Sequence, residues 1–219
     1  AKAGISSRTI GLSAVNVELD GNVAEGVFTY ATDGRQTLQG TLAADDLNLT
    51  PYISTIRLLT NSERDWSRLP LALDGMGGFD LDLRLSAANV TIANAKIGRT
   101  AIATNLRGGK LAVTIGESQA FGGILKGALA LATSDLGADF KSQLQFTDID
   151  LDACLRELLH FRRLEGRGDL VVELAATGDS VLGLTRTMNG TATLAGRQGA
   201  LVGINLEQLL RRLERRPLS

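Results

Sequence analysis

The residues able to do chemistry are few and scattered. The chain has one histidine, His160, and one cysteine, Cys154, which excludes zinc sites built from those two residue types alone. His160 falls near the end of an expected helix beside Phe161, Arg162 and Arg163, where an imidazole serves as a capping or surface group favoured by the helix dipole. Cys154 has no partner for an internal disulfide and reads as a small core residue without a redox role. Asp148, Asp150 and Asp152 have the spacing that opens a calcium loop, but the positions such a loop gives to Gly and Glu hold Ala153 and Leu159. Gly116-Glu117-Ser118-Gln119-Ala120 approaches a serine-hydrolase elbow without its last glycine, and it leads into the turn-like Phe121-Gly122-Gly123 where a helix is required. Gly75-Met76-Gly77-Gly78 and Gly166-Arg167-Gly168 lack the later Gly or Lys-Ser/Thr of a phosphate loop and read as hairpin glycines. Three sequons, at Asn48, Asn89 and Asn189, matter only in a eukaryotic secretory route. The chain is therefore read as non-enzymatic, with no catalytic residues, cofactor or metal.

The elements around these residues carry more information. One pattern occurs three times where a β-like run meets a helix-like run: Asp46-Leu47-Asn48-Leu49-Thr50-Pro51-Tyr52-Ile53, Asp148-Ile149-Asp150-Leu151-Asp152-Ala153-Cys154-Leu155 and Gly203-Ile204-Asn205-Leu206-Glu207-Gln208-Leu209-Leu210. Asn, Asp or Thr at such a junction accepts hydrogen bonds from the unpaired N–H groups of the first helical turn. Pro51 suits a first helical position, where its missing N–H costs nothing. A supersecondary unit is being reused, as in a repetitive scaffold.

An apolar fraction of 44% argues against disorder, and a net charge of -1 provides no general attraction to nucleic acid. Aromatic residues make up only 4% of the chain, a poor supply for stacking on bases or sugars. The longest stretch without charge, Leu85 to Ala95, is far short of the ~20 residues of a membrane-spanning helix. The chain starts at Ala1 with no visible signal peptide, which reads as a processed product or an excised fragment.

Alternation dominates, the mark of strands with one buried and one wet face. Phe79, Leu81, Leu83 and Leu85 oppose Asp80, Asp82, Arg84 and Ser86, and Leu111, Val113 and Ile115 oppose Lys110, Ala112 and Thr114. Phe140, Leu144 and Phe146 alternate with Lys141, Gln143 and Gln145, and Leu170, Val172 and Leu174 with Asp169, Val171 and Glu173. Earlier runs near 12–19, 23–31 and 36–43 follow suit, with turns at Asp20-Gly21-Asn22, Asp33-Gly34, Gly108-Gly109, Gly122-Gly123 and Asp135-Leu136-Gly137. Helices are predicted over roughly 50–59, 151–162, 180–187 and 205–215. The fold class is mainly β with a few short helices after strands (α+β): a long, curved antiparallel meander with an apolar concave face. Residues 1–62 form a β-meander with a short helix, 63–77 a polar loop or boundary holding Trp66, and 78–219 a β-repeat with two to three short helices; the two parts can equally be one continuous domain. In the last helix Leu206, Leu209, Leu210 and Leu213 form a stripe beside Arg211, Arg212, Arg215 and Arg216, which suits either packing on the sheet or an anionic membrane surface.

Four phrases resemble the C-terminal region of the AsmA family of bacterial envelope proteins: Gly40-Thr41-Leu42-Ala43-Ala44-Asp45-Asp46-Leu47-Asn48-Leu49-Thr50-Pro51-Tyr52, Ala120-Phe121-Gly122-Gly123-Ile124-Leu125-Lys126-Gly127, Leu164-Glu165-Gly166-Arg167-Gly168-Asp169-Leu170, and Met188-Asn189-Gly190 through Gly199-Ala200-Leu201-Val202-Gly203-Ile204-Asn205-Leu206. Asn205 stands where the family has Asp, a change neutral for capping. The resemblance implies a periplasmic protein tethered to the inner membrane by an N-terminal anchor. It further implies β-structure similar to bridge-like lipid transporters, and a role in phospholipid traffic toward the outer membrane and in envelope integrity.

An apolar trough would shield acyl chains without specific contacts, because the hydrophobic term is non-directional. The candidate lipid-facing residues are Phe79, Leu81, Leu83, Leu85, Leu111, Val113, Ile115, Leu144, Phe146, Leu170, Val172 and Leu174. The expected partners are a phospholipid or other acyl lipid and envelope proteins of unknown identity, with no nucleic acid. The same alternation fits a closed sandwich whose apolar faces bury each other. The competing functional reading is a structural or assembly factor in outer-membrane protein biogenesis, acting through protein contacts at strand edges.

Overall fold

The computed structural model describes residues 2–5, 8–51, 66–92, 95–159 and 164–201. Twelve strands form one sheet: β1 (Lys2–Ile5), β2 (Thr9–Leu19), β3 (Asn22–Ala31), β4 (Thr37–Asn48), β5 (Asp80–Ile92), β6 (Ala95–Ile97), β7 (Thr100–Arg107), β8 (Lys110–Ala120), β9 (Gly123–Ser134), β10 (Gly137–Asp150), β11 (Leu164–Gly178) and β12 (Asn189–Leu201). Among the described residues two complete short helices follow strands, α1 (Leu151–Leu159) after β10 and α2 (Val181–Thr187) after β11. The chain is mainly β with few helices, as the alternation predicts.

Strand order follows the sequence, with β6 set aside as an extra partner of β5. Two-residue turns with positive φ join several neighbours: Asp20 (51°) and Gly21 (78°), Gly108 (56°) and Gly109 (75°), Phe121 (51°) and Gly122 (73°). Such turns match the right-handed twist of the strands they connect. One pair departs from the expected antiparallel meander: β4 and β5 run parallel, Thr37 opposite Asp80 and Asn48 opposite Thr91. Parallel neighbours need a crossover in place of a hairpin, and the stretch taken as a loop or boundary lies within it. The two glycine clusters are not hairpins either. Asp74–Gly77 is a 3-10 turn, while Gly166 (φ 116°) lies within β11, where the register to β12 shifts between Glu165 and Arg167.

The repeated junction has the capping chemistry its residues suggest. The Ala153 N–H donates to Asp150 Oδ1 at 2.9 Å, closing the first turn of α1. At the matching place in the first copy, the Thr50 N–H donates to Asn48 Oδ1 at 3.0 Å. Asn48 is itself held by Asn22, a buried turn residue that accepts the Asn48 N–H at 2.6 Å and donates to its carbonyl at 3.1 Å. The third copy, the last predicted helix, His160 and most of the first predicted helix lie outside the described residues.

The best-sealed packing sits under α1. Ile149, Leu151 and Cys154 are fully buried with Ala120, Leu125 and Phe146. Burial, reinforced by the Asp150 carboxylate, pushes the Cys154 thiol up to about 11, so it stays protonated at neutral pH. Beside this cluster a charged clamp fixes the β10–β11 bulge. Arg167 donates to both Asp148 carboxylate oxygens at 2.9 Å and to the Gly122 carbonyl at 3.0 Å. The Asp148 N–H donates to Asp169 Oδ1 at 2.8 Å, and Arg197 holds the other Asp169 oxygen. These contacts stabilise Asp148 in its left-handed conformation, φ 50°.

The Arg167 hydrogen bond lowers the pKa of Asp148, and the Asp148 N–H, then Arg197, lower that of Asp169. Depressed carboxylates stabilise the fold above the ordinary range near ~4, and that contribution is lost as pH falls through the lowered values. Arg167→Gln is therefore expected to lower the thermal midpoint at neutral pH, with the gap to wild type narrowing in acid. A gap unchanged by pH would mean that the guanidinium acts through packing alone.

Candidate functional site

The candidate site is one face of the sheet, fixed by strand register, because residues directly opposite each other on neighbouring strands share a face. One row runs Leu12, Phe28, Gly40, Leu83, Thr104, Val113, Leu129, Ser142, Leu174, Gly190. The next runs Val15, Gly26, Leu42, Leu85, Ile102, Ile115, Gly127, Leu144, Val172, Ala192. A third carries Leu38, Leu81, Leu106, Leu111, Leu131, Phe140 and Ala176. The first two rows each cross ten strands, from β2 to β12, so at ~4.8 Å per step they extend roughly 43 Å.

Glycines in these rows make room for neighbours. A Cβ on Gly127 would lie 2.7 Å from Leu144 Cδ2, and one on Gly40 would lie 2.5 Å from Phe28 Cδ1. The large side chain of one strand folds over the glycine of the next and keeps the face continuous.

The opposite face is wet. Gln143 donates to Glu173 across β10 and β11 at 3.0 Å, Thr177 donates to Asp139 at 2.8 Å, and Lys126 lies 3.8 Å from Glu117. All twelve strands belong to one sheet whose first and last strands do not pair, so no second sheet closes over the apolar rows among the described residues. Leu83, Val113, Leu144 and Val172 are accordingly only half-buried. Among the described residues the largest side chains sealed almost completely from solvent are Ile149, Leu151, Cys154 and Ser118.

Of the candidate residues, Leu81, Leu83, Leu85, Leu111, Val113, Ile115, Leu144, Leu170, Val172 and Leu174 share this face. Phe146 shares it but is 5% exposed; the alternation places it correctly, and α1 then covers it with protein. Phe79 precedes β5 and belongs to no strand. The short helices expected over 151–162 and 180–187 cover the two ends of the face, α1 over the Phe146 end and α2 over Leu111, Leu131 and Phe140; the spacing did not tell which face residues they would cover. Sequence reasoning missed the Asp148–Arg167–Asp169–Arg197 clamp, whose signal was the Asp and Arg flanking the glycines of β11.

The three aspartates have structural partners: Asp148 pairs with Arg167, Asp150 caps α1, and Asp152 accepts from Arg156 at 2.6 Å. Ser118 is buried on β8 with its hydroxyl 2.7 Å from that of Thr100. Among the described residues no group of three or more His, Cys, Asp or Glu is placed to hold a metal ion, and no helix is long and apolar enough to cross a membrane.

Among the described residues the fold and its face define a single β-sheet with one largely apolar surface that no second sheet covers. The chain belongs to the AsmA family, an envelope-associated family whose model matches residues 31–215. No curated protein matches the chain. No solved structure matches it either.

Proposed function

We propose that this chain shields the acyl tails of phospholipid or another acyl lipid from water, as the periplasmic part of an inner-membrane-tethered system moving lipid toward the outer membrane. The observation that carries the reading is the pair of largely aliphatic rows across the strands, interrupted mainly by glycines, Thr104 and Ser142, half-buried at Leu83, Val113, Leu144 and Val172 and covered by no second sheet among the described residues. An acyl tail in water costs ~0.8 kcal/mol per exposed CH₂, on the order of 10 kcal/mol for roughly 14 methylenes. A wall of Leu, Val and Ile offsets that cost at any point along its length, so a tail can slide without a specific contact being broken. No catalytic step is part of this reading.

The test is native mass spectrometry of the gently extracted protein. Bound acyl lipid, released on denaturation, is the expected result; a lipid-free chain carrying a stoichiometric protein partner would sink the proposal. That second outcome would favour an assembly role, for which the specific observation is the β12 edge: Asn189 to Gly196 carries no charge and no proline, the usual devices that discourage strand addition.

A further inference from the structure

The apolar face is not uniformly open. After β11 the chain turns into α2, capped by the Ser180 hydroxyl, which accepts the Gly183 N–H at 3.1 Å. The helix lies against β11 so closely that a Cβ on Gly178 would come within 2.5 Å of the Gly183 backbone. The crossover between β4 and β5 straps it from the other side. The Leu71 N–H donates to the Asp179 carbonyl at 2.8 Å, the Leu182 N–H to the Ser67 carbonyl at 3.0 Å, and Pro70 bridges Ser180. Between this roof and the sheet is a cavity of about 450 Å³, with Leu71, Leu184 and Met188 above and Leu111, Leu131 and Phe140 below.

That volume falls within the ~300–1,000 Å³ of ordinary small-ligand pockets. Its accessible wall is entirely apolar, so water finds no partners there, and no donor or cation is present to receive a head group. The depression that adjoins it at Leu71 is lined by Asp74 and Asp135 and by no Lys or Arg, which repels a phosphate. Val113 and Leu129 belong both to the cavity wall and to the row that continues through Thr104 to Leu83. The cavity is thus continuous with the open face on one side and closed to charge on the other.

We propose that the cavity beneath α2 is a tail-end site: it encloses the methyl end of one acyl chain, whose head-group end lies on the open face toward β5 and β4. This rests on the acyl-shielding reading. A hydrocarbon terminus is the occupant whose chemistry matches every wall. The strap and α2 would then hold a tail in place, whereas the open rows only let it slide.

The full chain, incubated with phosphatidylcholine vesicles whose tails carry a diazirine either at the methyl end or beside the ester, is illuminated and its labelled peptides are mapped. The methyl-end probe is expected to label the Leu131, Phe140 and Leu184 peptides about tenfold more than the ester-side probe. Val113→Trp and Leu184→Trp, which fill the cavity from its floor and its roof, are expected to remove that label and keep labelling at Leu83 and Leu42. Equal labelling by the two probes, or a methyl-end label unchanged in both folded variants, overturns the tail-end site while the shielding reading stands. No label anywhere on the apolar face overturns both.

Discussion

Ile149→Ala is expected to cost about 2–5 kcal/mol of folding stability, the range for truncating a fully buried aliphatic residue. Ile149 is 0% exposed and lies just past the β10 bulge, opposite Gly168, where it packs with Leu151 and Cys154 of α1 and with Phe146. The other buried cluster among the described residues, Ala44, Ala87 and Val90, lies on β4 and β5, away from α1, and does not refill the void. At ~2–4 °C per kcal/mol for a domain of this size, the thermal midpoint followed by circular dichroism should fall by roughly 4–20 °C. A loss below ~1 kcal/mol would mean that the α1 cluster is not the anchor of this end of the sheet.

Leu83→Asp and Val172→Glu are expected to abolish lipid retention while leaving the fold intact. Both positions lie in the apolar rows and both are half-buried, so the carboxylate can reach water in the free protein. Once a tail covers the face it cannot, and burying an unpaired charge is expensive. Loss of one aliphatic contact, ~1.5–3 kcal/mol, already amounts to a drop of about tenfold or more in occupancy, and the trapped charge adds to it. Thr114→Asp, on the wet face of β8, is the control and should keep its lipid. Retention by the Leu83 and Val172 variants, measured by mass spectrometry of extracted lipid, would contradict the shielding mechanism; so would equal loss in the Thr114 variant.

Local chemistry was the legible part of this chain. Alternation located the strands and the apolar face, because a period of two is written into each strand separately. The Asp150 and Asn48 caps and the Asp20-Gly21 turn followed from what their side chains and backbones can do within four residues. What could not be read depends on partners distant in the chain. Thr37 meets Asp80 through a parallel pairing that neither strand announces, since register across a crossover leaves no local trace. Gly166 looked like a turn because a bulge and a hairpin both call for a glycine with positive φ. Phe146 alternates like Leu144, and only the docking of α1 separates a covered residue from an open one. The α2 cavity needs Leu71 and Leu184 brought together by the strap, a contact that no spacing encodes.

In the sheet as described, β1 and β12 do not meet, and apart from the β4–β5 seam and the helix-bearing connections from β10 to β11 and from β11 to β12, neighbouring strands are joined by short connections. Stability in such an array is close to a sum over adjacent pairs. Inserting or deleting a hairpin would therefore change the length of the oily track by two strand spacings, roughly 10 Å, without disturbing pairings elsewhere. A closed barrel has no such freedom, because every added strand forces a new circumference and shear. Length, for this architecture, is a quantity that gene duplication can adjust in steps of one hairpin.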